Sequence, residues 1–106
     1  MSTLAQKQVD AYVDKVNELY QRVESWLSEL APGAVLARER VRLREEGSDP
    51  YDVDLLRLTF PDGRSPVRFE PRGTYVIGAL GRVDVKSRHG WEYLVLLPFK
   101  SDLSPG

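Results

Sequence analysis

A chain of 106 residues with 42% hydrophobic and 29% charged residues is the size of one ordinary globular domain and too short for two cores. The absence of cysteine excludes disulfides, thiol catalysis, iron–sulfur clusters and cysteine zinc sites, and a single histidine, His89, leaves no ordinary ligand set for zinc. A formal net charge of −1 gives no global pull toward nucleic acid or an anionic membrane, although 11 Arg against 4 Lys is an arginine-biased set of cations.

Residues 1–8 lack a cationic segment followed by an apolar run, so they do not read as a signal peptide. The longest strongly apolar stretch, 93–99, falls far short of the ~20 residues that span a bilayer, and a cytoplasmic protein without membrane contact is expected. The first third then follows a helical period. Val9, Val16, Val23 and Leu30 share one heptad position, Ala5, Tyr12, Leu19 and Trp26 a second, and Val13, Tyr20 and Leu27 a third. Ser2 or Thr3 is the expected N-cap and Pro32-Gly33 the stop, which gives a helix over about residues 4–31.

After Gly33 the period changes to two. Val35 to Arg44 and Tyr51 to Phe60 read as strands of a hairpin, with Arg44 opposite Asp52, Arg42 opposite Asp54, Arg40 opposite Leu56, Arg38 opposite Leu58 and Leu36 opposite Phe60. The other face then pairs Leu43 with Val53, Val41 with Leu55 and Glu39 with Arg57. Asp62-Gly63 marks a turn, and Val67 to Glu70, between Pro66 and Pro71, reads as a short edge-like strand. Ala79-Leu80-Gly81 and Arg88-His89-Gly90 suit three-residue hairpin loops. They would set Tyr75 opposite Val85 and Ile77 opposite Val83, then Val85 opposite Tyr93, Val83 opposite Val95 and Lys86 opposite Glu92. The alternative is one long strand from Thr74 to Ser87. The fold class predicted is α+β: one long N-terminal amphipathic helix on an antiparallel meander of five or six strands over about 34–98, in one domain with a short tail at 101–106.

Candidate chemistry is sparse. Asp49, Asp52 and Asp54 lack the Gly and the distal Glu of a calcium loop and have arginine partners in the hairpin. His89 sits in a turn with no local nucleophile or orienting group, and no nucleophile elbow, phosphate loop or dinucleotide fingerprint occurs. Neither catalytic residues nor a metal or cofactor are assigned.

Arg38, Arg40, Arg42 and Arg44 project from one face of a strand, and the same face carries Leu56, Leu58 and Phe60. If the helix covers the Val41, Leu43, Val53 and Leu55 side, the opposite face presents apolar side chains rimmed by arginine. The expected function is a non-catalytic interaction module of the regulator, inhibitor or immunity type. It would bind an acidic or amphipathic protein through Arg38, Arg40, Leu56, Leu58 and Phe60. One alternative is a single-stranded nucleic-acid binder using the basic segment 64–90, which carries six basic and two acidic residues, through Arg64, Arg68, Arg72, Arg82 and Arg88 with Trp91. The low pI of about 5.8 counts against it. The other alternative is a small-molecule binder or enzyme with a pocket between helix and sheet.

A homo-oligomer is also expected. A helix of 27 residues would be ~40 Å long, whereas five strands span only ~24 Å, so the apolar stripe of Val9, Tyr12 and Val13 would overhang the sheet and need a second subunit.

Overall fold

The computed structural model describes residues 4–45, 49–74 and 80–96. Helix α1 (Leu4–Leu30) precedes five strands, β1 (Val35–Leu43), β2 (Tyr51–Thr59), β3 (Val67–Gly73), β4 (Gly81–Ser87) and β5 (Gly90–Leu96). They form one antiparallel sheet in the order β1-β2-β3-β4-β5, so the α+β meander is present with five strands. The expected N-cap residues and tail lie outside the described residues, as does most of the proposed Thr74–Gly78 strand. Pro32 and Gly33 do stop the helix: Ala31 N donates to Leu27 O, and Ala34 N already bonds back to Ala31 O in the turn.

The helical stripe builds the core. Val9, Tyr12, Val16, Leu19, Tyr20 and Val23 are buried against Tyr51, Val53, Leu56, Leu58, Phe69, Val83 and Leu96. The helix therefore has no apolar overhang at Val9 and Tyr12. The expectation of an oligomer interface at Val9, Tyr12 and Val13 is corrected: the first two are buried within the chain and Val13 packs against the same cluster. A twisted sheet reaches further along a crossing helix than its flat width suggests. The ends of β3, β4 and β5 reach the N-terminal half of the helix, where the Tyr12 hydroxyl donates to Arg82 O at 2.7 Å and accepts from Gly73 N at 3.1 Å.

Both sides of the β1–β2 hairpin feed this core. Along β2 the buried residues are Tyr51 and Val53, then Leu56 and Leu58, a change of parity midway along the strand. β3 pairs with β2 only over Leu56–Leu58, where the helix covers that side through Tyr20, edge-on to Phe69 at 6.2 Å. The hairpin register is two residues away from the expected one: Arg42 faces Asp52 and Arg40 faces Asp54. A two-residue slip preserves faces, so the arginine–aspartate logic holds with different partners. Arg42 Nε lies 3.0 Å from Asp52, and Arg57 and Glu39 meet at 3.4 Å diagonally instead of directly opposite.

The hydrogen bond from Arg42 holds the Asp52 carboxyl below the usual carboxylate range. A depressed folded-state pKa contributes stability that is present above the unfolded value and is lost as pH falls through the folded one. A carbon-detected NMR titration should show the Asp52 midpoint rising in Arg42→Ala, while Arg44→Ala leaves it in place. The opposite pattern would restore the register read from sequence.

The turn between β4 and β5 is tighter than expected. Ser87 pairs with Gly90 around the two residues Arg88 and His89, so Val85 faces Glu92, Val83 faces Leu94 and Lys86 faces Trp91. A one-residue slip exchanges faces, which moves Trp91, Tyr93 and Val95 to the side opposite the buried Val83. Across β3, Phe69 and Pro71 occupy the positions opposite Val85 and Val83 that had been assigned to Tyr75 and Ile77.

Two buried phenols, Tyr12 and Tyr20, tie helix to sheet, and a third, Tyr51, ties β2 to the end of β1. The Tyr20 hydroxyl donates to Asp54 O at 2.6 Å, and the Tyr51 hydroxyl to the Glu45 carboxylate, which also accepts from Thr74 N at 2.8 Å. Burial pushes the Tyr12 hydroxyl from 10.0 up to about 12, and burial raises Tyr20 and Tyr51 as well, the latter helped by its bond to Glu45. Raised folded-state values mean stability that is complete below pH 10.0 and is lost as pH rises through about 12. Ultraviolet titration should therefore show these three phenols ionising only together with loss of the near-ultraviolet circular dichroism. Their ionisation near pH 10.0 in a folded chain would contradict this packing.

Candidate functional site

The surface first expected to meet a partner is largely inside. Leu56 and Leu58 are buried and Phe60 packs partly against the core, so these three are corrected from partner contacts to core or core-edge residues. Arg38 lies against the helix: its guanidinium is 3.2 Å from Glu24 and 3.3 Å from Asn17 and stands over the Tyr20 ring at 5.3 Å. Arg40 remains exposed beside Asp54. Arg38 thus seals the margin of the helix instead of rimming an open patch.

The opposite face of β3, β4 and β5 carries an ordered lattice of charged side chains. Register places Arg68 opposite Lys86, Glu70 opposite Asp84, Asp84 opposite Tyr93, Lys86 opposite Trp91 and Arg82 opposite Val95. Two carboxylates directly opposite each other repel. Here each lies between two cations: Glu70 is 3.1 Å from Arg68 and 2.9 Å from Lys86, and Asp84 is 3.4 Å from Arg72 and 3.0 Å from Arg82. Four cations about two carboxylates leave this lattice at +2.

Asp84 is only 2% exposed although it faces away from the helix, because the arginine stems and Tyr93 enclose it. The Arg82 guanidinium also lies 5.3 Å from the Tyr93 ring centre and 5.9 Å from that of Trp91, and the two rings are 6.2 Å apart. Both rings are half exposed, at 52% for Trp91 and 54% for Tyr93. The outcome is a platform of two exposed aromatic rings, tilted 50° to each other, and one positioned guanidinium, bordered by a positive charge lattice.

Sequence reasoning named Arg68, Arg72, Arg82 and Trp91 as one basic set, and the structure gathers those four on this face. It separates them from Arg64 and Arg88, which line an open cleft of about 530 Å³ with Phe60, Ser65, Val67 and His89. Arg64 is occupied there by Asp62 at 2.7 Å and by the Phe60 ring at 4.6 Å. Tyr93 was not recognised as a member of the site, and Lys86, Glu70 and Asp84 counted only toward the net charge of the segment 64–90. Their signal was the alternation of Glu70 with Arg68 and Arg72, and of Asp84 with Arg82 and Lys86, which puts mixed charges on one side of each strand. The space between helix and sheet, where the small-molecule alternative would need a pocket, is filled by Tyr12, Val16, Tyr20, Leu56 and Val83. Asp52 and Asp54 are paired with arginines, and among the described residues no cluster of three or more His, Asp or Glu is placed to hold a metal ion. Among those residues, too, no helix is long and apolar enough to cross a membrane.

No protein-family model matches the chain, and no curated protein or solved structure matches it significantly.

Proposed function

We propose that this chain is a non-catalytic protein-binding module that receives an acidic or amphipathic segment of another protein on the outer face of β3–β5. The observation that carries the proposal is the Arg82–Trp91–Tyr93 cluster beside the +2 lattice. Trp, Tyr and Arg dominate the energetic centres of protein interfaces, and positioned side chains lose little conformational entropy on binding. An acidic segment would find the four cations already arranged, and its apolar side chains would cover the two rings.

Single-stranded nucleic acid is the second reading, because exposed rings next to arginines also stack bases. It is the weaker one, since nucleic-acid affinity rests mainly on phosphate contacts and a chain of formal net charge −1 exerts no long-range pull on a polyanion, whereas apolar side chains of a protein segment gain from covering the two rings.

The test is affinity capture from the native host with wild-type, Trp91→Ala and Arg82→Ala chains, followed by calorimetry on the purified captured protein. Trp91→Ala should weaken binding about 30-fold, corresponding to ~2 kcal/mol. Equal affinity for all three chains would sink the proposal. Binding of an oligonucleotide tighter than ~100 μM at low salt, falling steeply as salt rises, would favour the second reading.

A further inference from the structure

The two edges of the sheet are unlike. β1 carries Arg38, Glu39, Arg40 and Arg42, and an edge studded with charge resists pairing with another chain. β5 reads Gly90-Trp91-Glu92-Tyr93-Leu94-Val95-Leu96, with one charge and no proline. Among the described residues no strand pairs with its outer side. Of the eight exposed large hydrophobic residues in the described chain, four lie on this strand: Trp91, Tyr93, Leu94 and Val95.

We propose that β5 is a dimerisation edge and that its occupant is a second copy of this chain, paired antiparallel about a two-fold axis through Tyr93. The tight turn determines which backbone groups are available. The Ser87–Gly90 pair that closes a two-residue loop is a hydrogen-bonded pair, and bonding alternates along an antiparallel ladder. The N–H and C=O groups of Trp91, Tyr93 and Val95 therefore turn away from β4. Paired about Tyr93, these are the groups that bond across the axis. Trp91 then faces Val95 of the second copy, Tyr93 faces Tyr93, and the single charge, Glu92, faces Leu94.

Every pair on the outer side is thus aromatic with aromatic or aromatic with β-branched, the combinations that stabilise adjacent strands, and no like charges are opposed. The same operation on β1 about Arg40 would set Arg40 against Arg40 and Arg38 against Arg42. Charge and shape therefore select β5 over β1 for self-pairing, and the two five-stranded sheets become continuous. Both binding platforms would then lie on one side of the joined sheet. The pairing stands apart from the proposed partner, because it is measured on the purified chain alone.

Sedimentation equilibrium on the full chain tests it. Wild type should be dimeric at up to about 100 μM. Tyr93→Lys opposes two ammonium groups at the axis while finding Asp84 as a neighbour within its own chain, and it should weaken the dimer at least about tenfold. Mixing Tyr93→Lys with Tyr93→Glu chains should restore association as a heterodimer. Val95→Pro, which removes an outward N–H, gives an independent second variant. If it fails to fold, the charge pair alone decides. A monomeric wild type, or a dimer indifferent to Tyr93→Lys, overturns the proposal.

Discussion

Gly81→Ala should destabilise the fold by about 3 kcal/mol, near the upper end for forced overpacking. A Cβ at Gly81 would lie 2.3 Å from Tyr12 Cδ1 and 2.5 Å from the carbonyl oxygen of Gly73. Neither partner gives way easily: the ring is fully buried with its hydroxyl tied to Arg82 O and Gly73 N, and the Gly73 oxygen belongs to the backbone of β3. Helix and sheet approach here through the missing side chain of a glycine, and an added methyl must push them apart. Shortening Tyr12 to Ala would remove only one of the two clashes, so Tyr12→Ala with Gly81→Ala should remain less stable than Tyr12→Ala alone. Urea unfolding followed by circular dichroism measures both. A Gly81→Ala chain within about 0.5 kcal/mol of wild type would place the helix elsewhere.

The joint substitution of Arg72 and Arg82 by alanine should cost about 3 kcal/mol, the range found when a buried charge loses its partners. Asp84 is enclosed, and these two guanidiniums are its closest cations, at 3.4 and 3.0 Å. Removing the carboxylate is the milder change, because both arginines are partly exposed and can recover hydration. Asp84→Asn should therefore be more stable than the double arginine variant, and each single arginine variant should fall between wild type and the double. Thermal unfolding of the four variants orders them. An Asp84→Asn chain less stable than the double arginine variant would mean that the carboxylate, and not its pairing, holds the lattice together.

Much of the architecture was legible because it rests on periodicity. The stripe from Val9 to Leu27 and the alternation in β1 and β2 are local patterns, and each produced its element close to its observed limits. Register was less legible. For β1 and β2, alternating arginines can meet Asp52 and Asp54 in two ways that keep the same faces, and charge pairing alone does not choose between them. For β4 and β5, Gly90 suited the last position of a three-residue loop, but it serves as the first residue of β5, and the single-residue shift moved Trp91 and Tyr93 to the other face. Since the Arg82–Trp91–Tyr93 cluster is made of cross-strand neighbours, an error of one residue was enough to hide it. The parity change in β2 hid the core face in the same way, because Leu56 and Leu58 seemed to oppose Val53 when all three are buried. Gly81 reads as the last residue of a hairpin loop. Its close approach to Tyr12, like that of Gly73 to Glu45, depends on contacts between segments far apart in sequence, which no local pattern records.

The claim that the outer face of β3–β5 meets the partner is tested most directly by placing a photoreactive amino acid at single positions and crosslinking in the native host. Lys86 lies on the proposed face, and Arg40, with its side chain 73% exposed, lies on the stripe first suggested by sequence. The account predicts that a probe at Lys86 captures a protein other than a second copy of this chain, and that a probe at Arg40 does not. Capture of that protein from Arg40, with none from Lys86, would contradict it.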